Sequence, residues 1–371
     1  MERLKALQRA MEARGCDLVV VGPTANMRYL TGYRAMAVER ITVLLVTGDA
    51  VAMVIPDFDA DEFRHATGLD AVFEWADKHG PSEAIDGAFA SLGLPGKTGP
   101  ALVDDELRFD FFTHLRGHLR DEPGRASELL GPLRLSKTAA EQECMRRAGE
   151  LVSHGIDVAL ERARPGMTEL ELKRAIEDAL WDEGAESVDF VLVQAGANSA
   201  VGHHNADETL LREGEPVLVD IAARVDGYFG DITQQAFLGT PPEEYVRIYE
   251  IVASAQEQGV RAARAGATAA DVDRAAAAVI EAAGFGDSTG PRTGHGIGLD
   301  VHEPPSVVAG DDTELVPGAA ITVEPGVYLP GRFGIRIEDT VIVTGGDAQR
   351  VTRGARPLFA KQGFRATTRG D

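Results

Sequence analysis

The chain has 371 residues, 44% hydrophobic and 26% charged, which bounds it to a globular protein of about two domains with core enough for an enzyme. Asp+Glu number 59 against Lys+Arg 37, and the net charge of -22 with no basic stripe argues against a nucleic-acid surface, because phosphate binding needs concentrated positive charge. No apolar run approaches a membrane span, the N-terminus is charged and helical, and Cys16 and Cys144 cannot build a disulfide framework, so a cytoplasmic, unprocessed protein is expected.

Residues 1 to 14 place Leu4, Leu7 and Met11 on one helical face that Gly15 stops, and Leu18 to Val21 reads as a buried strand. Ile41 to Val46 and Val51 to Ile55 are two strands joined by Thr47-Gly48-Asp49-Ala50. Helices follow near 57 to 66, 81 to 90 and 109 to 120, with a strand at Leu102-Val103. Residues 1–133 are therefore expected as a smaller α/β domain, without a cluster of ligand-type side chains. A boundary near Gly131-Pro132, where loop composition gives way to a long helix, opens a second domain, residues 134–371. Thr138-Ala139-Ala140-Glu141 is a capping box; Thr168-Glu169-Leu170-Glu171 is another, and Thr268-Ala269-Ala270-Asp271 a weaker one. Pro241-Pro242-Glu243-Glu244 starts a further helix. Strands are expected at 188 to 193, 216 to 222, 231 to 238, 320 to 328 and 335 to 343. The short turns between several of them predict a largely antiparallel sheet with helices packed on it, so the fold class is α+β.

The chemistry centres on Val217 to Asp231. Val217 to Ile221 is an apolar strand carrying Asp220, Asp226-Gly227 is a hairpin signal, and Asp231 lies on the second arm. A buried carboxylate is expensive unless something positive faces it, and two on one hairpin suggest a metal ion. Three further stretches carry metal-capable side chains. His295 sits in Gly294-His295-Gly296-Ile297-Gly298, where the glycines are expected to let the backbone approach a ligand. Glu324 ends an apolar strand in Thr322-Val323-Glu324-Pro325-Gly326, and Glu338 falls inside another, Gly334-Ile335-Arg336-Ile337-Glu338-Asp339, whose alternation puts Arg336 and Glu338 on one polar face. Singly, each has an ordinary explanation as a turn or a solvated side chain. Together, four carboxylates repel one another, one divalent ion leaves the cluster negative and two neutralise it. Oxygen-rich ligation with one imidazole and no thiolate suits Mn, Co or Zn in an open catalytic site, and the implied reaction is hydrolysis.

Asp220, Asp231, His295, Glu324 and Glu338, in this order and in these contexts, resemble the M24 metallopeptidases with the pita-bread catalytic fold, the family of prolidase (Xaa-Pro dipeptidase), aminopeptidase P and methionine aminopeptidase. The resemblance covers residues 134 to about 345, and the region around Tyr29-Leu30-Thr31-Gly32-Tyr33 is similar to the N-terminal domain of the prolidase and aminopeptidase P branch. It implies two divalent metal ions held by those five residues, and attack by a metal-bridging hydroxide. Asp220 would ligate one ion, Asp231 and Glu338 would bridge, and His295 and Glu324 would complete the other. Glu324 would also act as general acid/base. In Asn198-Ser199-Ala200-Val201-Gly202-His203-His204, the spacing to Asp220 favours His203 over His204 as the first substrate histidine. Val301-His302-Glu303-Pro304-Pro305 supplies His302 as the second, and Tyr328 and Arg336 match positions that shape the site.

Two departures accompany the resemblance. The basic residue that many dipeptidases carry four after the second histidine is Ser306 here, and the arginine common after the Thr that follows the second aspartate is Gln234. Both remove positive charge near the substrate carboxylate, unless Arg332, Arg336 or a neighbouring subunit supplies it. The family is usually dimeric, and the loop from Tyr33 to Arg40 would close a partner's site with Glu39 or Arg40 near the substrate's terminus. The first reading is an Xaa-Pro dipeptidase acting on proline-containing dipeptides, the nearest alternative an Xaa-Pro aminopeptidase acting on longer peptides. A non-catalytic binding protein and a metal-free amidinohydrolase on the same fold are disfavoured by the intact ligand set.

Overall fold

The computed structural model describes residues 2–94, 96–353 and 359–361, so residues 354–358 and 362–371 of the expected second domain lie outside the described residues. The chain divides into two units, Met1–Arg134 and Leu135–Asp371.

In the first unit, α1 (Glu2–Arg14) buries Leu4, Leu7 and Met11 and ends at Gly15, whose φ of 68° is the left-handed geometry a helix stop favours. After β1 (Leu18–Val21) come α2 (Ala25–Thr31), β2 (Val43–Val46), β3 (Val51–Pro56), α3 (Asp57–Thr67), β4 (Val72–Trp75) and α4 (Ser82–Ser91). β5 (Ala101–Val103), α5 (Phe109–Leu115), β6 (Gly124–Arg125) and α6 (Ser127–Leu135) complete it. The strands form one mixed sheet in the order β4-β3-β2-β1-β5-β6, with antiparallel pairing only along β1-β2-β3. Its core packs Leu18, Val20, Val43, Leu45 and Val54 against Ile85, Phe89, Phe111 and Leu115.

The sequence does not announce α2, β4 or β6, which are short, and Gly131-Pro132 is not a loop: both residues lie inside α6. Proline removes one N–H and still accepts a helical φ, so a short helix whose Leu129 and Leu130 are buried can carry it.

The second unit opens with α7 (Ala139–Arg162), α8 (Glu169–Asp182) and the strands β7 (Ser187–Ala195), β8 (Pro216–Val225) and β9 (Tyr228–Leu238). Then follow α9 (Glu243–Ala262), α10 (Ala269–Ala282), β10 (Gly294–Gly296), β11 (Glu303–Val307), β12 (Ala320–Val323), β13 (Gly326–Leu329), β14 (Phe333–Arg336), β15 (Asp339–Ile342), β16 (Gln349–Arg350) and β17 (Phe359–Lys361). All three capping boxes form, at Thr138, Thr168 and Thr268. Pairing is antiparallel throughout this unit except between β17 and β9. Each half repeats one linkage: Gly166 N donates to Leu211 O as Gly266 N does to Leu315 O, both at 2.9 Å.

The expected strands 320 to 328 and 335 to 343 each break in two. Pro325 has no N–H to give a ladder, so the chain changes partner there: β12 pairs with β15, and β13 with β14. Glu324 and Glu338 fall in the two breaks, which corrects the expectation that Glu338 lies inside a strand.

Helix α7 meets β9 backbone to backbone. A Cβ on Gly230 would lie 2.5 Å from Ala148 O, and one on Gly149 would lie 2.1 Å from Val351 O. Gly230→Ala should therefore force α7 off the strand that carries Asp231 and lower stability by roughly 1–3 kcal/mol. Thermal melting would show a fall of several degrees in Tm, while Gly48→Ala, with nothing within 4 Å, should melt like the wild type. Equal melting of the two variants would contradict the packing.

Candidate metal centre

Register on the β8–β9 hairpin decides which side chains meet. Asp220 lies opposite Thr233 and Ala222 opposite Asp231, so the period of two puts Asp220, Asp231 and Thr233 on one face. The turn Asp226-Gly227 that sets this register has φ of 48° and 92°, as a tight hairpin requires. The same alternation sends Gln234 to the opposite face, so its neutrality does not bear on the site, contrary to the expectation that it removes charge there.

The second carboxylate pair is stitched to the first. Thr340 Oγ1 donates to Asp231 O at 2.9 Å, and Glu338 N donates to Thr233 O at 3.0 Å. Thr233 Oγ1 donates to Glu338 Oε2 at 2.6 Å and accepts from Arg336 Nε at 3.2 Å. Arg336 Nη2 donates to Asp220 Oδ2 at 2.5 Å and Nη1 to the Tyr328 hydroxyl at 3.0 Å.

His295 enters on β10. A Cβ on Gly294 would lie 2.1 Å from Thr322 O and one on Gly296 would lie 2.3 Å from Pro304 O. The flanking glycines thus admit neighbouring strands rather than a ligand, which corrects the expected reason for them. The ring is 3% exposed; its Nδ1 faces Gly296 O at 2.9 Å, and its Nε2 lies 3.3 Å from Glu324 Oε1 and 3.8 Å from Asp231 Oδ2. Thr322 Oγ1 holds both neighbours, accepting from His295 N at 3.0 Å and donating to Glu324 Oε1 at 3.2 Å.

The five residues are not placed with equal freedom. Asp231, His295 and Glu338 each present a ligand atom within 4.8 Å of the others. Asp220 leans on Arg336, and Glu324 is half-buried beside His295. Asp220 Oδ1, Asp231 Oδ1 and Glu338 Oε1 are buried with no hydrogen-bond partner among the described residues. Burial, then the charges of Asp220 and Glu324, holds the Asp231 carboxyl well above its usual range. Burial, then Asp231 and the other carboxylates, does the same to Glu338. Burial also raises Asp220, with Arg336 opposing it. Burial lowers His295 to about 4, leaving a neutral imidazole. Hard oxygen donors lacking hydrogens to accept, around a neutral imidazole, fit divalent cations.

His302 packs edge-to-face on His295 with ring centroids 4.3 Å apart, and although the residue keeps an exposed edge, desolvation followed by the charges of His295 and Arg292 lowers its pKa. His203 is exposed. His204 is held away: its Nε2 lies 2.9 Å from Glu169 Oε2. Glu169, His204 and Asp207 form a second ligand-like group, but one already satisfied, since Glu169 also accepts from Ala195 N at 2.6 Å, Asn198 Nδ2 at 3.0 Å and Asp207 N at 3.2 Å. The sequence gives Glu169 only as part of a capping box, and it misses Thr233 and Thr322. Alternation from Asp231 could have found Thr233. Arg332 is tied to Glu244 at 2.6 Å, and Arg40 to Asp77 at 3.0 Å and Glu39 at 2.7 Å.

The model of metallopeptidase family M24 matches residues 143–345, and that of the creatinase/prolidase N-terminal domain matches residues 3–136. The chain is 35% identical over 347 residues to a probable dipeptidase PepE of Mycobacterium tuberculosis, covering 92% of this chain and 91% of that one. It is 31% identical over 360 residues to the Xaa-Pro dipeptidase of Pyrococcus furiosus, covering 96% and 99%. The chain belongs to metallopeptidase family M24. The crystal structure of a dipeptidase from Pyrococcus horikoshii superposes with a TM-score of 0.91 at 33% identity, covering 97% of this chain and 100% of that one. The second unit thus has the pita-bread fold of the M24 enzymes.

Because folding raises the carboxyl pKa values of Asp231 and Glu338, the folded state holds their protons more tightly than the unfolded one. Their contribution to metal-free stability therefore falls as pH rises from the ordinary carboxylate range through the raised values. Asp231→Asn removes part of this repulsion. Without metal it should melt above the wild type at about pH 8 and depend less on pH, and it should lose most of the wild type's rise in Tm on adding Mn2+. Differential scanning calorimetry with and without chelator checks both. A variant that melts lower without metal and keeps the full metal shift would contradict the electrostatics.

Proposed function

We propose that the protein is an Xaa-Pro dipeptidase working with two divalent ions, manganese first with cobalt or zinc as alternatives, held by Asp220, Asp231, His295, Glu324 and Glu338. The observation that carries this reading is the set of three buried carboxylate oxygens left without partners around a neutral imidazole. Four carboxylates against Arg336 leave three negative charges; two divalent ions overcompensate by one, which suits a single additional anionic ligand. When bound, the metal pair supplies Lewis acidity and a water of lowered pKa.

The chain's own groups divide the rest of the work. Glu324, partly buried and fixed by Thr322, takes a proton from the attacking water at Oε1 or Oε2 and passes it to the leaving prolyl nitrogen. His302 and His203 donate hydrogen bonds to the oxygen that gains charge on the scissile carbonyl. At His302, whose pKa burial lowers, a neutral imidazole serves as a donor without a fixed charge beside the metals. Tyr328 and Arg336 restrain Asp220 in one rotamer. His204, engaged by Glu169, is the bystander of the histidine pair.

The reading extends to a homodimer, in which the Tyr33 to Arg40 loop of one subunit reaches its partner's site, with Arg40 already engaged by Asp77 and Glu39. It also extends to a reducing, cytoplasmic setting. Both cysteines are free, and among the described residues no helix is long and apolar enough to cross a membrane. The neutral Ser306 favours a second reading, an aminopeptidase that takes longer peptides. Turnover of Ala-Pro, Ala-Pro-Ala and Ala-Ala by the Mn-loaded protein separates them: Ala-Pro should be cleaved fastest and Ala-Ala slowest. Glu324→Gln should cut kcat by about 10²–10⁴-fold. Cleavage of Ala-Pro-Ala alone would establish the second reading, and full activity after exhaustive chelation would overturn both.

A further inference from the structure

A dipeptide ending in proline carries a free carboxylate one bond beyond the ring, and a site selective for it needs a cation there that is not spent elsewhere. Position 306, Arg332 and Arg336 offer no free cation. Ser306 is neutral, with its N–H tied to Asp311 Oδ2 at 2.9 Å. Arg332 is held by both Glu244 oxygens, at 2.6 and 3.3 Å. Arg336 is buried, with Asp220, Tyr328 and Thr233 each taking one of its nitrogens.

Arg292 differs from these. It is half-buried in the segment leading into β10, and that segment runs along the wall of the metal centre. Thr293 O accepts from Glu324 N at 2.7 Å, Thr289 bridges to Val327, and a Cβ on Gly290 would lie 3.4 Å from the Tyr328 ring. Its positive charge acts on both His295 and His302. Asp273 of α10, which faces this segment, is taken by the Thr293 hydroxyl at 2.6 Å. Among the described residues, the Arg292 guanidinium makes no hydrogen bond and no ion pair. An arginine with a planar fork of donors, partly withdrawn from water and unpaired in a segment that meets Glu324 and Tyr328, is arranged to receive a carboxylate from outside the protein.

We propose that Arg292 is the specificity-determining residue of this site, binding the free C-terminal carboxylate of an Xaa-Pro dipeptide where Ser306 offers no charge. The inference rests on the dipeptidase reading and deepens it, since it accounts for a dipeptide preference in a chain lacking the basic residue at 306. A bidentate contact to Arg292 is available to a dipeptide and is lost when the carboxylate is an amide or continues into a third residue.

The test compares metal-loaded wild type with Arg292→Met, which keeps the aliphatic stem, and Arg292→Lys, which keeps the charge. The substrates are Ala-Pro and Ala-prolinamide, which share the scissile bond and differ only at the carboxylate. The ratio of kcat/KM for Ala-Pro over that for Ala-prolinamide should fall about 10–100-fold in Arg292→Met, mostly through KM for Ala-Pro, and recover in part in Arg292→Lys. An unchanged ratio would overturn the proposal whatever happens to the absolute rates, because a purely structural defect lowers both substrates alike. Calorimetric binding of L-proline and L-prolinamide reads the same contact without turnover. If the wild type fails to cleave Ala-Pro, the dipeptidase reading falls, while a weaker Kd for proline alone in Arg292→Met would still support a carboxylate site. Equal affinities in variant and wild type would overturn it.

Discussion

Carboxylates of like charge do not gather in a dry interior unless something of opposite charge gathers with them. Asp220, Asp231 and Glu338 are nearly withdrawn from water, and among the described residues each keeps an oxygen with no donor to meet it, while Arg336 offsets Asp220 from within the protein. Such an arrangement costs several kcal/mol per ion in a folded chain. The rest of the second unit is arranged to hold that unfavourable cluster in place, as expected of a site completed by cations from solution.

The fold supplies rigidity through close backbone approach. Gly230 lets α7 rest directly on β9 beside Asp231, and Gly294 and Gly296 let β10 lie between β11 and β12 so that His295 points inward. Three threonines do the fine positioning. Thr233 spans Glu338 and Arg336, Thr322 spans His295 and Glu324, and Thr340 fastens β15 to β9 at Asp231. A β-branched hydroxyl on a strand has few rotamers to lose, so each link fixes a ligand at low entropic cost. Apolar residues next in sequence, Ile335 and Ile337, turn the other way into a core with Phe237 and Tyr245.

Much of this was legible in the chain because it is local. The turn Asp226-Gly227 sets the β8–β9 register, and register alone puts Asp220 and Asp231 on one face. The capping boxes at Thr138, Thr168 and Thr268 mark three helix starts by their own chemistry. What was illegible depends on partners far away in sequence. Pro325 looks like a residue ending one strand, yet it makes two strands exchange neighbours and leaves Glu338 in a break. Gly131-Pro132 has the composition of a loop, but the burial of Leu129 and Leu130 makes a helix of it. The side of β9 on which Gln234 falls needs the register as well as the motif. Arg292 carries no signal of its own, and its isolation emerges only from the hydrogen bonds and ion pairs of the folded chain.

Anomalous diffraction from crystals grown with Mn2+ would locate the ions. Two peaks enclosed by Asp220, Asp231, His295, Glu324 and Glu338 are expected, with the three partnerless oxygens turned toward them. A map with no peak there, or with manganese bound at Glu169, His204 and Asp207 instead, would contradict the assignment of this cluster as the metal centre.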